Sequence, residues 1–201
     1  MLNEFKVGDI VSIGKYNNRS ILWEVVEIGE GQILLVSKRI IETSYIVNAK
    51  CGYLVTADEP YYYDACASRE WLNSYFFSKS FEATEKGFIV VTDLDNSVAQ
   101  NADENNEAFC QNTSDFIFLL SKKEVLQYFP SQNERVAIGT DHAKSCMLDV
   151  NENGYSSYWL RTPSPDDEYS INYVNSLGNF SNSPLYDVKG IRPAMWVRYY
   201  R

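Results

Sequence analysis

The sequence predicts an α+β domain that opens with an antiparallel β-meander and carries its helices in short pieces. Three observations support that expectation. The first third alternates β-branched runs with turn residues, apolar residues take up helical spacing only after Cys66, and the last third returns to short strands set among Ser, Asn, Asp and Pro.

Residues 7–13, 21–28 and 32–37 are the β-branched runs, and Asn17-Asn18 and Gly29-Glu30-Gly31 between them are hairpin turns. Partial alternation in Trp23-Glu24-Val25-Val26-Glu27-Ile28 gives that strand one buried and one wet face. Trp71, Leu72, Tyr75 and Phe76 then recur at helical spacing, which predicts a helix over 66–77 with Asp64 or Ser68 as its N-cap. A further helical turn follows at 82–86, then a strand at 88–91. No Lys or Arg occurs between Gly87 and Ser121, where Asp93, Asp95, Asp103, Glu104, Glu107 and Asp115 crowd among Asn, Gln and Ser. That composition predicts a solvated acidic loop. A strand is expected at 116–120, after which Ser121 caps a helix with Glu124 at its third position and Pro130 ends it. Thr140 or Asp141 caps a short helix carrying His142 and Cys146, and Asn153-Gly154 is the strongest two-residue turn in the chain. Strands are expected at 155–161, 171–174 and 191–199, with an exposed, turn-rich segment over 164–187. No repeat, low-complexity tract or linker interrupts the pattern. Residues 1–201 therefore read as one domain, with a β-meander over 1–60 and an α+β portion over 61–201.

Composition narrows the function classes. With 201 residues, 45% of them hydrophobic, the chain is long enough to bury about 70% of its surface without metal or disulfide staples. Eighteen basic against 27 acidic residues give a net charge of −9, which repels nucleic-acid phosphates and anionic lipid. No apolar run approaches the roughly 20 residues of a membrane span, and the first residues lack a secretion signal, so a cytoplasmic chain without membrane insertion is expected as given, export of a processed form aside. Cys51, Cys66, Cys110 and Cys146 contain no C-x-x-C pair, and reduced thiols are the simplest reading.

His142 is the only histidine, so any imidazole chemistry must use it. Its four-residue spacing to Cys146 sets both on one helix face, where a nucleophilic thiol or a zinc site is conceivable. Zinc would need two more ligands from distant segments. Asp149, Asn151, Asn153 and Gly154 match the front half of a calcium loop, but position 12 is Leu160 rather than Glu. An EF-hand is thereby rejected and a looser oxygen-lined calcium site remains an alternative to no cofactor at all. Glycine motifs for nucleotides, a G-x-S-x-G elbow and an H-E-x-x-H helix are all absent. Fifteen Tyr, ten Phe and four Trp make the chain 14% aromatic, and many of the tyrosines sit among polar residues. Such Tyr/Asn/Ser-rich stretches favour a recognition surface, for which Tyr158, Tyr169, Asn172, Tyr173, Asn175, Asn179, Asn182 and Tyr186 are the candidates.

Four segments, in order, carry a family resemblance. They are Ile21-Leu22-Trp23-Glu24, then Cys66-x-x-Arg69-x-Trp71-Leu72-Asn73, then Asp115-x-Ile117-Phe118-Leu119-Leu120-Ser121-x-x-Glu124, and last Trp159-Leu160-Arg161-Thr162-Pro163 with Gly190-Ile191-Arg192-Pro193-Ala194. The chain resembles a bacterial and phage family classed as a domain of unknown function, with Thr162 where that family usually has Ser. Its ending is similar to the terminal half of a C-type-lectin-like fold, shared by formylglycine-generating enzymes and by variable receptor-binding proteins. The paired catalytic cysteines of the former have no counterpart here, since no Cys follows 146. The resemblance therefore implies a rigid frame of Arg69, Trp71, Trp159, Arg161, Arg192 and Trp196, with Arg161 and Arg192 expected to pair with acids. Loops near 96–112 and 164–187 would bind an unknown protein or glycan without catalysis. The alternatives are an enzyme using His142 with a nearby Cys or acid, and a structural subunit of a larger assembly.

Overall fold

The computed structural model describes residues 5–45, 63–165 and 169–199. Cys51 and residues 166–168 of the turn-rich segment lie outside the described residues.

Strands β1 (Ile10–Tyr16), β2 (Arg19–Ile28) and β3 (Gln32–Ser37) form the expected meander. Asn17 and Asn18 turn the first hairpin at φ 49° and 62°, a left-handed pair that Asn tolerates better than most residues. After β4 (Glu42–Tyr45), helix α1 (Ala67–Trp71) runs through a π-helical turn, Leu72–Phe76, into α2 (Phe77–Ser80). Next come α3 (Ala83–Lys86), β5 (Ile89–Val90), β6 (Thr92–Leu94), β7 (Thr113–Asp115), α4 (Lys122–Tyr128), α5 (Gln132–Arg135) and β8 (Ala137–Ile138). The chain ends with α6 (Asp141–Ser145), β9 (Tyr155–Ser156), β10 (Tyr158–Pro163), β11 (Ser170–Val174), β12 (Phe180–Pro184), β13 (Val188–Ile191) and β14 (Ala194–Arg198). The result is a mixed α+β domain with an N-terminal antiparallel sheet and short helices.

Two five-stranded sheets organise it, ordered β1-β2-β3-β14-β5 and β12-β11-β10-β13-β4. The two are linked by a bent ribbon. β3 pairs with β14 in one sheet while β4 pairs with β13 in the other, and bonds from Ser37 N to Pro193 O (2.8 Å) and from Ile41 N to Ile191 O (3.0 Å) carry the pairing across the bend. Pro193 suits that corner because it has no N–H to leave unpaired. Trp23, Trp159, Tyr63, Phe76 and Phe118 are the largest wholly buried side chains. The indole N–H groups of Trp23 and Trp159 donate to Ile13 O and Ser44 O at 2.8 and 2.9 Å.

Four expectations need correction. Helix α1 is preceded by Cys66 at its N-cap with no side-chain cap bond, rather than being capped by Asp64 or Ser68. Residues 116–120 form no strand. They run between the sheets with Ile117 to Leu120 buried, and only Phe118 bridges to Ala194. The stretch around 96–112 is not simply solvated, since Asn96, Asn101 and Asn106 are buried and bond to backbone within it and to Pro163 O. Part of 164–187 is sheet: β11 and β12 pair over five residues, and Ser170, Ile171, Asn172 and Val174 are buried.

Candidate metal centre and adjoining pocket

Glu42, His142 and Cys146 converge just past the bend of the ribbon, and their ligand atoms all lie within 4.8 Å of one another. Helix α6 is tied at its start to Ile40, just before β4, and at its end to β4 itself. At its start Thr140 N donates to Ile40 O at 2.8 Å while the Thr140 hydroxyl accepts from Ala143 N at 3.1 Å, the N-cap bond its sequence predicts. At its end Thr43 Oγ1 donates to Cys146 O at 2.8 Å. One helical turn then sets His142 and Cys146 on the same face, with Sγ 3.7 Å from Nε2.

Glu42 approaches from the strand. Its Oε2 lies 2.8 Å from His142 Nε2 and accepts from the Tyr16 hydroxyl at 2.6 Å, while Oε1 accepts from Thr43 N at 2.9 Å. Tyr16, the last residue of β1, is brought over by the Asn17-Asn18 turn and by a bulge at Gly14, whose φ is +73°. Its ring meets those of His142 and Phe76 edge to face with centroids 5.5 Å away, and Trp71 at 5.9 Å. Trp71 and Phe76, five residues apart across the π-helical turn, stack on each other at 5.1 Å. Burial raises the Tyr16 phenol well above the ordinary tyrosine value, and its bond to Glu42 adds to that. Burial also pushes the Glu42 carboxyl up, but donation from Tyr16, Thr43 N and His142 outweighs it and holds the group below its usual value.

Both Glu42 and Cys146 face the same imidazole nitrogen. In a thiol–imidazole–carboxylate relay the acid and the nucleophile occupy opposite ring nitrogens. Here oxygen, nitrogen and sulfur instead lie within 4.8 Å of one another on one side of the ring. His142 and Tyr16 also form part of the wall of a pocket of about 270 Å³, completed by the β1–β2 turn, Arg39, Ile41 and the start of α6.

The other residues singled out in the sequence fall elsewhere. Tyr158 and Asn172 are buried and committed to the frame: the Tyr158 hydroxyl donates to Arg135 O at 2.9 Å, and Asn172 Nδ2 donates to Pro163 O at 2.7 Å. Asn175 Oδ1 accepts from Leu177 N and Asn179 N in the β11–β12 turn, and the Asn179 side chain accepts from Gln132 at 2.5 Å. Tyr173 packs on Trp159 and under Lys189, Tyr169 and Asn182 are half-buried, and Tyr186 is exposed. Asn151 Oδ1 caps its own turn by accepting from Asn153 N and Tyr155 N, so it is a turn organiser, and its Nδ2 donates to Ser176 O. Asp149 belongs to no cluster of three ligand-type residues among the described residues.

Among the frame residues, Arg69 forks onto Asp115 at 2.7–3.0 Å, and Arg161 forks onto Glu124. Arg192 departs from the expected acid pairing. It donates to Ser37 O at 3.1 Å and to the Tyr158 hydroxyl at 3.2 Å and lies over the Phe129 ring at 4.7 Å, with no carboxylate in reach among the described residues. Trp159 is fully buried, while Trp71 and Trp196 are partly so. Cys110 is a free buried thiol that accepts from Tyr63 N at 3.2 Å, and Cys146 is free and partly exposed.

The chain belongs to the family described as Domain of unknown function (DUF6273), whose model matches residues 30–199 and so spans Glu42, His142 and Cys146. No curated protein and no solved structure matches it. No helix among the described residues is long and apolar enough to cross a membrane.

Proposed function

We propose that the domain is a metal-dependent enzyme module that binds one zinc ion through Glu42 Oε2, His142 Nε2 and Cys146 Sγ. The observation that carries this reading is the convergence of three different donors on one point beside a pocket. A carboxylate, an imidazole and a thiolate form the borderline-soft donor set that zinc takes, and three protein ligands leave the fourth position open, as in catalytic rather than structural sites. Calcium, which requires six to eight oxygens, suits this set poorly. Tyr16 is the outer partner that orients the Glu42 carboxylate, and Thr43 fixes its other oxygen. When bound, the metal supplies Lewis-acid polarisation to a small molecule held in the pocket.

The test is zinc competition against a chromophoric chelator under reducing conditions. The wild-type chain takes up one equivalent, and Glu42→Gln, His142→Ala and Cys146→Ser each weaken uptake at least tenfold. Equal uptake by all four proteins, or none by the wild type, contradicts the assignment.

A recognition surface is the second reading, supported by exposed Leu177 in the β11–β12 turn and exposed Tyr186 in the β12–β13 turn. A C-type-lectin-like C-terminal half is a companion proposal. Its support is that β10, with Trp159-Leu160-Arg161, lies parallel to β13 through the Tyr158–Gly190 pair.

A further inference from the structure

The pocket beside the metal centre has a chemical character of its own. Its apolar lining is Ile21 and Ile41, both almost fully buried, while Leu22, the next residue on β2, turns to the opposite face of the strand. Its rim carries two guanidinium groups. Arg19 is neutralised by Asp141 at 2.8 Å, and the neighbouring Lys38 by Glu24 at 2.8 Å. Arg39 is exposed on the pocket wall and has no carboxylate within ion-pair reach among the described residues. Its backbone is nonetheless fixed, because its carbonyl accepts from Ser37 Oγ at 2.9 Å and Lys38 N donates to Leu22 O at 2.8 Å.

In a chain of net charge −9, an unneutralised guanidinium over an apolar floor selects an anion with an apolar tail. We infer that this pocket binds a small aliphatic monocarboxylate, with Arg39 forking onto its carboxylate and Ile21 and Ile41 receiving its chain. A single guanidinium matches one carboxylate in two parallel hydrogen bonds. A phosphate dianion fits less well, since Asp141 stands on the same wall and Glu42 adjoins it through His142. The volume of about 270 Å³ lies just under the usual range of roughly 300–1,000 Å³ for ligand pockets, which sets the size at a short-chain acid. This inference deepens the enzyme reading, because it names the substrate class for the same pocket.

The experiment is calorimetric titration of the full chain, zinc-loaded and EDTA-treated, with sodium hexanoate and with hexanamide, its uncharged isostere. Wild type binds hexanoate at least tenfold more tightly than hexanamide in both forms. Arg39→Met abolishes that preference, while Lys38→Met, at the adjacent paired residue, retains it. Arg39 is exposed and accepts no core packing role, and an unchanged melting temperature for the variant checks that its fold is intact. Equal binding of acid and amide, an Arg39→Met protein that still discriminates, or no binding of hexanoate overturns the inference. Discrimination that survives EDTA in a chain that takes up no zinc sinks the metal reading and leaves this one standing. Zinc uptake without charge discrimination does the reverse.

Discussion

Replacing Arg161 by Met tests the frame on which the site is built. Arg161 is only 2% exposed and forks onto Glu124, with Nη2 2.8 Å from Oε1. Its Nε donates to Asn96 Oδ1 and its Nη1 to Leu119 O, each at 2.9 Å, while Nη2 reaches Asp95 O at 3.3 Å. Glu124 is also the reciprocal acceptor of the Ser121 cap on α4. Met keeps much of the side-chain volume but strands Glu124 and three acceptors from two segments, Asp95-Asn96 and Leu119. Removing one partner of a buried ion pair costs about 3–5 kcal/mol, and an orphaned acceptor about 1–3, so overlapping losses place the variant near 4 kcal/mol. Against a total stability of about 5–15 kcal/mol the variant remains folded at low denaturant. With a urea slope of about 3 kcal/mol per M, the midpoint falls by about 1.3 M, read from the fluorescence of the four tryptophans. A pH series adds a sign. Burial pushes the Glu124 carboxyl up, but Arg161 and the Ser121 donors outweigh it and hold it below the ordinary value. Its contribution is thus complete above about pH 5 and is lost as pH falls through the lowered folded value. Acid destabilisation is therefore steeper in wild type than in Glu124→Gln. A loss under about 1 kcal/mol for Arg161→Met, or single-variant losses at 161 and 124 that simply add, refutes this reasoning.

Three further outcomes follow from named contacts. Gly14→Ala places a Cβ 2.7 Å from Ser80 O and 2.8 Å from the Phe81 ring at a φ of +73°, so a loss of about 2–4 kcal/mol in urea unfolding is expected; a neutral result removes the close approach. Ser121→Ala deletes both the cap to Glu124 N and the bond to Gln100, at a cost of about 1–2 kcal/mol in thermal unfolding, whereas Ser131→Ala at the exposed cap of α5 costs less. Burial pushes the Cys110 thiol up to about 12, so peptide mapping after native iodoacetamide treatment of EDTA-treated protein at pH 8 finds Cys110 unmodified and Cys146 alkylated; early loss of the Cys110 peptide contradicts its burial.

Local chemistry made much of the fold legible. The Asn17-Asn18 turn, the Ser121–Glu124 capping box, the Thr140 cap and the His142–Cys146 spacing each depend on residues within four positions, and each is present in the structure. What failed was non-local. Asparagines read as solvated in the 96–112 stretch because an amide bonds equally well to water and to backbone, and only the fold decides that Asn106 reaches Pro163. The apolar run 116–120 carries no alternation, so nothing in its residues separates a strand from a buried extended segment. Glu42, which completes the candidate metal centre, stands 100 residues before His142, and Tyr16 is more remote still. The bend that leads into β4, the ties of α6 to Ile40 and Thr43, and the turn and bulge of β1 bring them together, and no spacing in the sequence signals it. Arg192 shows the same limit: the residue type suggested a carboxylate partner, and packing supplied carbonyls and aromatic faces instead.

Cobalt substitution addresses the metal centre most directly, since a thiolate ligand and a four-coordinate geometry each leave an optical signature. Wild-type protein loaded with one equivalent of Co²⁺ is expected to show a near-ultraviolet sulfur-to-cobalt charge-transfer band and intense visible bands. Cys146→Ser should lose the first and His142→Ala should weaken both. A faint six-coordinate spectrum without charge transfer, or a wild-type spectrum preserved in Cys146→Ser, would show that Glu42, His142 and Cys146 do not hold a metal.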